Sequence, residues 1–306
     1  MKRFSVVVSL PGQNNYLLEQ EVVVKQCAER LGVDLKVLNA NSDAIAQSQQ
    51  LLEVIQMSNN RPDGIIIEPV TNAGLPRVAD AAVNAGIAWV ISNARVDYLD
   101  TLRRDAKVPV FTVTQEHAEI GRVQGRQWSA LLPRGGSVLY LRGPAVNFLA
   151  SRRSEGLESV LPPNIHMKTI KIQWTGESAY NSVSSWLRLS TVRADETHLV
   201  AAQNTDFIVA ARSAFRDHAV AVEREKWGNV PCTGVGVLSQ VKPMLNDGTL
   251  AAAVVTSLTM DTALQMLVQA LQTGAQPPDY SYVPGWSSPS LEELAERHKA
   301  SVGSGR

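Results

Sequence analysis

Two cysteines in 306 residues are too few for a disulfide framework. Cys27 and Cys232 fall in segments that read as a helix and a strand start, outside any CxxC or Cys/His cluster, so both are read as small buried hydrophobes. A surplus of either charge is also missing: 29 Lys+Arg balance 29 Asp+Glu. Phosphate binding needs a basic surplus to release counterions, so no nucleic-acid partner is expected unless a local patch supplies one. No apolar run approaches the roughly 18 residues of a membrane span. The five histidines, His117, His166, His198, His218 and His298, show neither HExxH nor HxH spacing, so neither a metal nor a cofactor is expected. GxGxxG after a strand, GxxxxGK[ST] and GxSxG are absent as well, which removes the dinucleotide, P-loop and serine-hydrolase fingerprints. Arg134-Gly-Gly136 precedes a strand instead of opening a helix and is read as a loop.

What is present is globular: 44% hydrophobic, 19% charged, with a mean hydropathy of -0.07. The length fits two domains of about 150 residues. Short β-branched runs alternate with longer amphipathic stretches, the mark of βαβ units around a parallel sheet. In the first half the pattern predicts strands at about 4–9, 33–39, 63–67, 87–92 and 108–113, with helices near 16–31, 43–58, 74–85 and 117–132. Gly32 and Gly86 punctuate two helix ends, and Ser42-Asp43 opens a helix. After Pro133-Arg-Gly-Gly136 the rhythm restarts, with strands at about 137–141, 166–173, 198–202, 233–235 and 250–256 and helices near 148–160, 177–189, 205–218, 237–247 and 260–272. Tyr280–Val283 is read as an edge strand, and 287–306 as a polar tail with a short helix at about 291–298. The fold class expected is α/β, two doubly wound parallel-sheet lobes.

In open α/β sheets ligands sit beyond the carboxyl ends of the strands. The segments there are rich in amides: Gln13, Asn14, Asn15 and Tyr16 after the first strand, Glu68-Pro-Val-Thr-Asn72 after the third, Asn93 and Arg95 after the fourth. The second half answers with Asn147 in Arg142-Gly-Pro-Ala-Val-Asn-Phe148, with Arg153, and with Trp174, Asn204 and Thr256. Each alone reads as a cap or a turn. Together, amides and guanidinium groups pair with hydroxyls and rings pack on C–H faces, the chemistry for a neutral polyhydroxylated ligand. Tyr16 and Trp174 are either stacking anchors or core.

The ordered series Ser9…Asn14-Asn-Tyr16, Arg61-Pro-Asp-Gly-Ile-Ile-Ile-Glu-Pro-Val70, Ala85-Gly-Ile87, Gly121 with Gly125, Arg153-Ser-Glu-Gly156, Ala202-Gln-Asn-Thr-Asp206 and Asn246-Asp-Gly-Thr-Leu-Ala-Ala252 resembles the type I periplasmic sugar-binding proteins, nearest the ribose-binding kind. The resemblance covers about residues 4–284. It is shared by the effector domains of LacI-type repressors, but the chain shows no N-terminal helix-turn-helix. The resemblance implies a periplasmic-binding-protein type I fold: one lobe of 1–114 plus 258–283, another of 115–257 plus 284–306, and a ligand cleft between them. It also implies a three-segment hinge at Gln115, Thr256 and Pro284. It matches Asn14, Tyr16, Asn93, Arg153, Trp174 and Asn204 to ligand-contact positions, with Arg95 one step beyond the family's arginine, and these together with the strand-end residues Gln13, Asn15, Asn147 and Thr256 make up the expected ligand contacts. Asn93 and Gly236 stand where ribose-type members place carboxylates, so a roomier, less acidic site is expected on the second lobe, suited to a larger or acid-bearing sugar.

The function expected is non-enzymatic binding of a small carbohydrate-like solute with hinge closure, for ABC-type uptake. The alternative is a ligand-sensing component of a signalling system. The partners expected are a small-molecule ligand, a sugar or sugar derivative, and a membrane permease or sensor protein, with the chain itself a monomer. An enzyme would need a cleft acid or base, and the candidates Glu68 and Glu116 read better as a strand-end residue and a helix-opening carboxylate. Met1–Phe4 leads straight into the strand-like Phe4–Ser9, so a periplasmic location is expected if a signal segment has been removed and a cytoplasmic one otherwise.

Overall fold

The computed structural model describes residues 3–71, 75–144, 147–189, 191–219 and 221–296. The chain forms two compact units, the first made of 1–115 and 258–283, the second of 116–257 and 284–306. Three passages, at 115/116, 257/258 and 283/284, carry the chain from one unit to the other. Gln115 belongs to the first unit, not to the second as expected, because it is the last residue of a strand and pairs with Val283.

The first unit runs β1 (Ser5–Leu10), α1 (Asn15–Leu31), β2 (Asp34–Asn39), α2 (Ala44–Gln56), β3 (Gly64–Ile67), α3 (Pro76–Asn84), β4 (Ala88–Ser92), α4 (Leu99–Arg104) and β5 (Val110–Gln115). The second begins with α5 (His117–Leu131), β6 (Gly136–Arg142), α6 (Phe148–Glu158), β7 (Ile165–Lys171), α7 (Gly176–Leu187), β8 (Leu199–Ala202), α8 (Thr205–His218), α9 (Ala221–Asn229), β9 (Cys232–Gly236), α10 (Leu238–Asn246) and β10 (Ala252–Thr256). The chain returns to the first unit for α11 (Met260–Thr273) and β11 (Tyr280–Val283), then closes the second with β12 (Gly285–Ser288).

The first sheet has the order β11-β5-β4-β3-β1-β2 and is parallel throughout. The second has the order β12-β10-β9-β8-β6-β7, with β12 antiparallel to β10. Both sheets are covered on both faces, which is why their central strands are continuous apolar runs. Alternate residues serve opposite cores: Val6, Val8 and Ile66 pack with α1 and α11, while Val7, Ile65 and Ile67 pack with α2 and α3. In the second unit Val200 and Ala202 face the cluster of α7, α8 and α9, whereas Leu199 and Ala201 face Trp128 and Leu157 of α5 and α6.

Caps hold several of these joints. Gly32 (φ 68°) ends α1 in the left-handed region, its N–H reaching the Ala28 and Glu29 carbonyls, and Asp43 caps α2 by accepting from Ile45 and Ala46 N–H. Helices α5 and α6 pack backbone to backbone, since a Cβ on Gly121 would strike the Arg153 carbonyl and one on Gly156 the Ala118 carbonyl. Those glycines let α6 lie close enough to bring Arg153 and Phe148 beside the start of α5.

Four elements lie outside the sequence reading: α4, α9, β12 and a short 3-10 helix, Ala194–Glu196. Helix α9, Ala-Val-Glu-Arg-Glu-Lys-Trp-Gly-Asn, carries a weak apolar pattern and buries Trp227, which stacks on Phe215 at 4.6 Å. The helical turn of the tail is described over 291–296; the rest of the expected 291–298 helix lies outside the described residues, as do Asn72, Ala145 and Val146. Cys27 and Cys232 are buried free thiols, and burial raises that of Cys232 to about 11. No helix of the described residues is long and apolar enough to cross a membrane.

Candidate functional site

At the carboxyl edge of the first sheet, the loop after β1 leads through exposed Gln13 to Asn14, whose Oδ1 caps α1 by accepting from Leu17 N–H at 2.8 Å. Asn15 is exposed on the first turn of the helix. The Tyr16 ring is half buried against the α1 and α11 core, and its hydroxyl accepts from Gln20 Nε2 at 2.7 Å and Gln115 Nε2 at 3.3 Å. Gln20, fully buried, also donates to Thr259 Oγ1, and its Oε1 accepts from the Thr259 and Met260 N–H groups that open α11. Ser92, at the end of β4, shares a 2.7 Å hydrogen bond with Thr259. The ends of β4 and β5 and the start of α11 are thereby tied to α1 by polar groups in addition to the apolar packing of the shared core.

Beside this network Asn93 donates from Nδ2 to Glu68 Oε1 at 3.1 Å, both side chains being buried. Asn93 holds a left-handed backbone (φ 54°), which asparagine tolerates better than most residues, and its N–H donates to the Val113 carbonyl. Glu68 is fixed from behind: its N–H donates to the Ser9 carbonyl, and its carbonyl accepts from Gln47 Nε2 at 2.9 Å. Burial pushes the Glu68 carboxyl up to about 7 against the smaller opposing effect of the Asn93 hydrogen bond. Arg95, expected at this site, is exposed and stands over the Tyr280 ring at 5.6 Å.

In the second unit the corresponding edge is organised by Gln203. Its Nε2 donates to Tyr140 Oη, the Ala150 carbonyl and Ser154 Oγ, and its Oε1 accepts from Gly143 N–H at 3.0 Å. Arg153, buried on α6, donates to the Gln203 carbonyl at 2.8 Å. Asn147 and Asn204 cap α6 and α8, accepting from Ala150 and Asp206 N–H. His117, first residue of α5, is buried with neither ring nitrogen hydrogen-bonded and packs at an angle to Phe148 at 6.2 Å. Burial, reinforced by the Arg153 charge, holds its pKa well below 6.5.

Trp174 is half buried, stacked on Phe207 at 5.6 Å and pressed against Gly143, so one of its faces belongs to the core. The space expected beside Gly236 is filled: a Cβ there would lie 2.9 Å from Thr205 Oγ1, so the absence of a side chain at this position does not open the site. Thr256 ends β10 and donates to the Gly236 carbonyl at 3.4 Å. At the passages, Gln115 is buried and bonded to Tyr16, and the exposed Pro284 accepts from Ser257 N–H at 3.2 Å. Glu116 is exposed and paired with Arg122 at 3.2 Å.

The structure thus brings Asn14 and Tyr16 together on one edge with Glu68 and Asn93 near the same strand ends, and Asn147, Arg153 and Asn204 on the other, while Arg95 turns to β11. Sequence reading missed Gln20, Gln47, Gln203 and His117, and took Glu68 as structural. One signal existed for Glu68: an acidic residue directly after a four-residue apolar strand and before proline is an unusual place for a solvated charge.

A family described as periplasmic binding protein domain matches residues 6–276. The D-ribose/D-allose-binding protein of Pseudomonas aeruginosa is 26% identical over 219 residues, which cover 71% of this chain and 65% of that relative, just under two thirds of its length. Among solved structures, a galactofuranose binding protein superposes with a TM-score of 0.80 at 19% identity, covering 97% of this chain and 99% of the other. The fructose-binding periplasmic domain of a hybrid two-component system gives 0.75 at 17% identity, covering 98% and 96%. At these identities the solved structures speak for the fold.

Proposed function

Because the chain belongs to the periplasmic binding protein domain family, whose members bind solutes and do not transform them, we propose that it captures a small sugar or cyclic polyol at the carboxyl edges of its two sheets. The observation that supports this reading is the repeated use of asparagine as the cap of the helix that follows a strand. Asn14, Asn147 and Asn204 each spend the side-chain oxygen on a helix N-terminus, which fixes the amide nitrogen as an oriented donor. Hydroxyl and ring oxygens are the acceptors such donors suit, and the exposed part of the Tyr16 and Trp174 rings suits C–H faces. Gln13, Asn15, Arg153 and Thr256 complete the proposed contacts; Arg95 is left out because it stacks on Tyr280.

Gln115, Thr256 and Pro284 lie at or beside the three passages and are proposed as the hinge, since a few torsions there can change without disturbing either core. The liganded monomer would be handed to a membrane permease on the periplasmic side. A second reading, delivery to a membrane sensor, draws on the two-component-system domain of the same fold.

The test is a thermal-shift panel of D-ribose, D-allose, L-arabinose, D-galactose, D-fructose and myo-inositol. At a hundred times its Kd a true ligand stabilises by about 2.7 kcal/mol, and at least one member is expected to do so. A panel without any response overturns the carbohydrate reading.

A further inference from the structure

We propose that the second unit holds a further binding site, away from the carboxyl edge of its sheet: a cavity at the amino edge that takes a small organic carboxylate with a short apolar body. The cavity measures about 220 Å³ and lies where β6, β7, the end of α7 and the segment 191–197 meet. The topology puts it there. Ser137, Val138 and Leu139 stand opposite His166, Met167 and Lys168 in the first half of two parallel strands. A helix that crosses back between parallel strands ends at their amino edge. Helix α7 thus delivers Trp186, its penultimate residue, to the same place, and Val192 and Arg193 enter from the chain leading to β8. Residues two apart on a strand share a face, so His166 and Lys168 share that of Ile170, which packs on the core of α7 and α8. Strand β7 is the last of its sheet, and this face is covered less toward its amino end: Ile170 is half buried, His166 and Lys168 are exposed.

The cavity wall has two kinds of surface. One is apolar, made by the buried Leu139, Val192 and Trp186. The other is charged: the exposed Lys168 and Arg193 face a single lining carboxylate, Glu196. Lys168 Nζ lies over the Trp186 ring at 5.4 Å and makes no ion pair among the described residues. The ring face attracts the ammonium without accepting its hydrogens one by one, so the cation is positioned while its three donors stay available. Arg193 donates from Nη1 to the Val192 carbonyl at 2.8 Å, which holds the guanidinium beside the apolar part of the wall. Lys168 and Arg193 against Glu196 leave one net positive charge, with His166 counted neutral. One negative charge on the ligand balances that, which favours a monocarboxylate over a phosphate, and a neutral sugar leaves both cations unanswered. The volume is below the roughly 300 Å³ at which ordinary small-molecule pockets begin, which limits the apolar body to a short chain.

The experiment is an NMR titration of the full chain, read at its tryptophan indole N–H signals, with sodium hexanoate as the probe and hexanol and inorganic phosphate beside it. Trp186→Phe identifies the Trp186 signal. Hexanoate should move that signal to saturation in wild type. Hexanol, which lacks the charge, and phosphate, which lacks the apolar body, should each bind about tenfold or more weakly, and so should hexanoate to Lys168→Gln, as loss of a charge-assisted hydrogen bond implies. Arg193→Gln should weaken hexanoate in the same direction. Both replaced side chains are exposed, so the variants should melt like wild type. The proposal is overturned by a Trp186 signal that hexanoate does not saturate, by hexanol or phosphate binding as tightly as hexanoate, by an affinity of Lys168→Gln within about twofold of wild type, or by hexanoate moving Trp174 in place of Trp186. Trp186 reports from the amino edge, so a failed sugar panel leaves this test standing.

Discussion

Gln20 in the first unit and Gln203 in the second do comparable work, each a buried glutamine knotting strand ends to helices by four hydrogen bonds, yet the buried titratable side chain with an unbonded atom is an acid, Glu68, in the first unit and includes a base, His117, in the second. In the first unit side-chain amides add to the apolar packing of the helix that follows β1, and one oxygen of Glu68 is left without a partner. In the second, α5 and α6 are held by glycine-mediated backbone contact, and the orphan is His117. The difference shows how one architecture ties its strand ends to helices by two routes, and each route breaks in its own way.

The largest expected effect comes from the backbone contact. Gly121→Ala places a methyl group onto the Arg153 carbonyl, which belongs to a helix backbone and cannot swing aside. Overpacking of this kind costs about 3 kcal/mol or more. Hydrogen exchange should show faster opening of peptides from α5, α6 and β6 while those of the first sheet keep their protection. Equal loosening of both units would show that they do not open independently.

Next come the two orphans, which should respond to pH with opposite sign. Glu68 has a folded pKa raised from 4.5 to about 7, so between those values the folded chain keeps a proton that the unfolded chain has released. Its stabilisation is complete below pH 4.5 and lost as pH rises to about 7, on the order of 3 kcal/mol at about 1.4 kcal/mol per unit. His117 is depressed instead, so its stabilisation is present above pH 6.5 and lost as pH falls below that value. Urea denaturation across pH 4 to 8 should show that His117→Gln removes an acid-side loss carried by the second unit. A variant whose acid limb coincides with that of wild type would show that the ring is not kept neutral by the fold.

How much of this was legible in the sequence follows from what local pattern encodes. The run Gly64–Ile67 is buried at every position and reads as a central strand whatever lies around it. Helix α9 and strand β12 do not read so: one is a mostly charged segment that buries Trp227, and Gly-Trp-Ser-Ser is the composition of an edge partially open to solvent. The asparagine caps were legible because a cap is local chemistry. Gln20 was not, since its partners Thr259 and Met260 are 239 and 240 residues away. Glu68 and His117 escaped for the same reason, because burial of a polar side chain depends on what packs over it. Gly236 misled because an absent side chain was taken as space, whereas Thr205 fills it.

The smallest effect separates capping from binding. Asn14→Ala loses the bond to Leu17 N–H and should cost about 1 kcal/mol, the ordinary value of an N-cap. Asn14→Asp should cost little, because Asp43 shows that a carboxylate caps a helix in this chain just as well, accepting from two N–H groups. What aspartate cannot supply is the amide donor. If Asn14 both caps and binds, the Asp variant should melt like wild type when unliganded and lose most of the ligand-induced thermal shift, while the Ala variant loses both. The same pair of substitutions at Asn147 and Asn204 carries the comparison to the second unit, where Asn147 accepts from the third residue on, Ala150, at 3.2 Å and Asn204 from the second, Asp206, at 2.8 Å. An Asp variant that binds as wild type at any of the three would make that asparagine a cap alone, and would leave its unit to hold the ligand by the remaining proposed contacts and its aromatic ring.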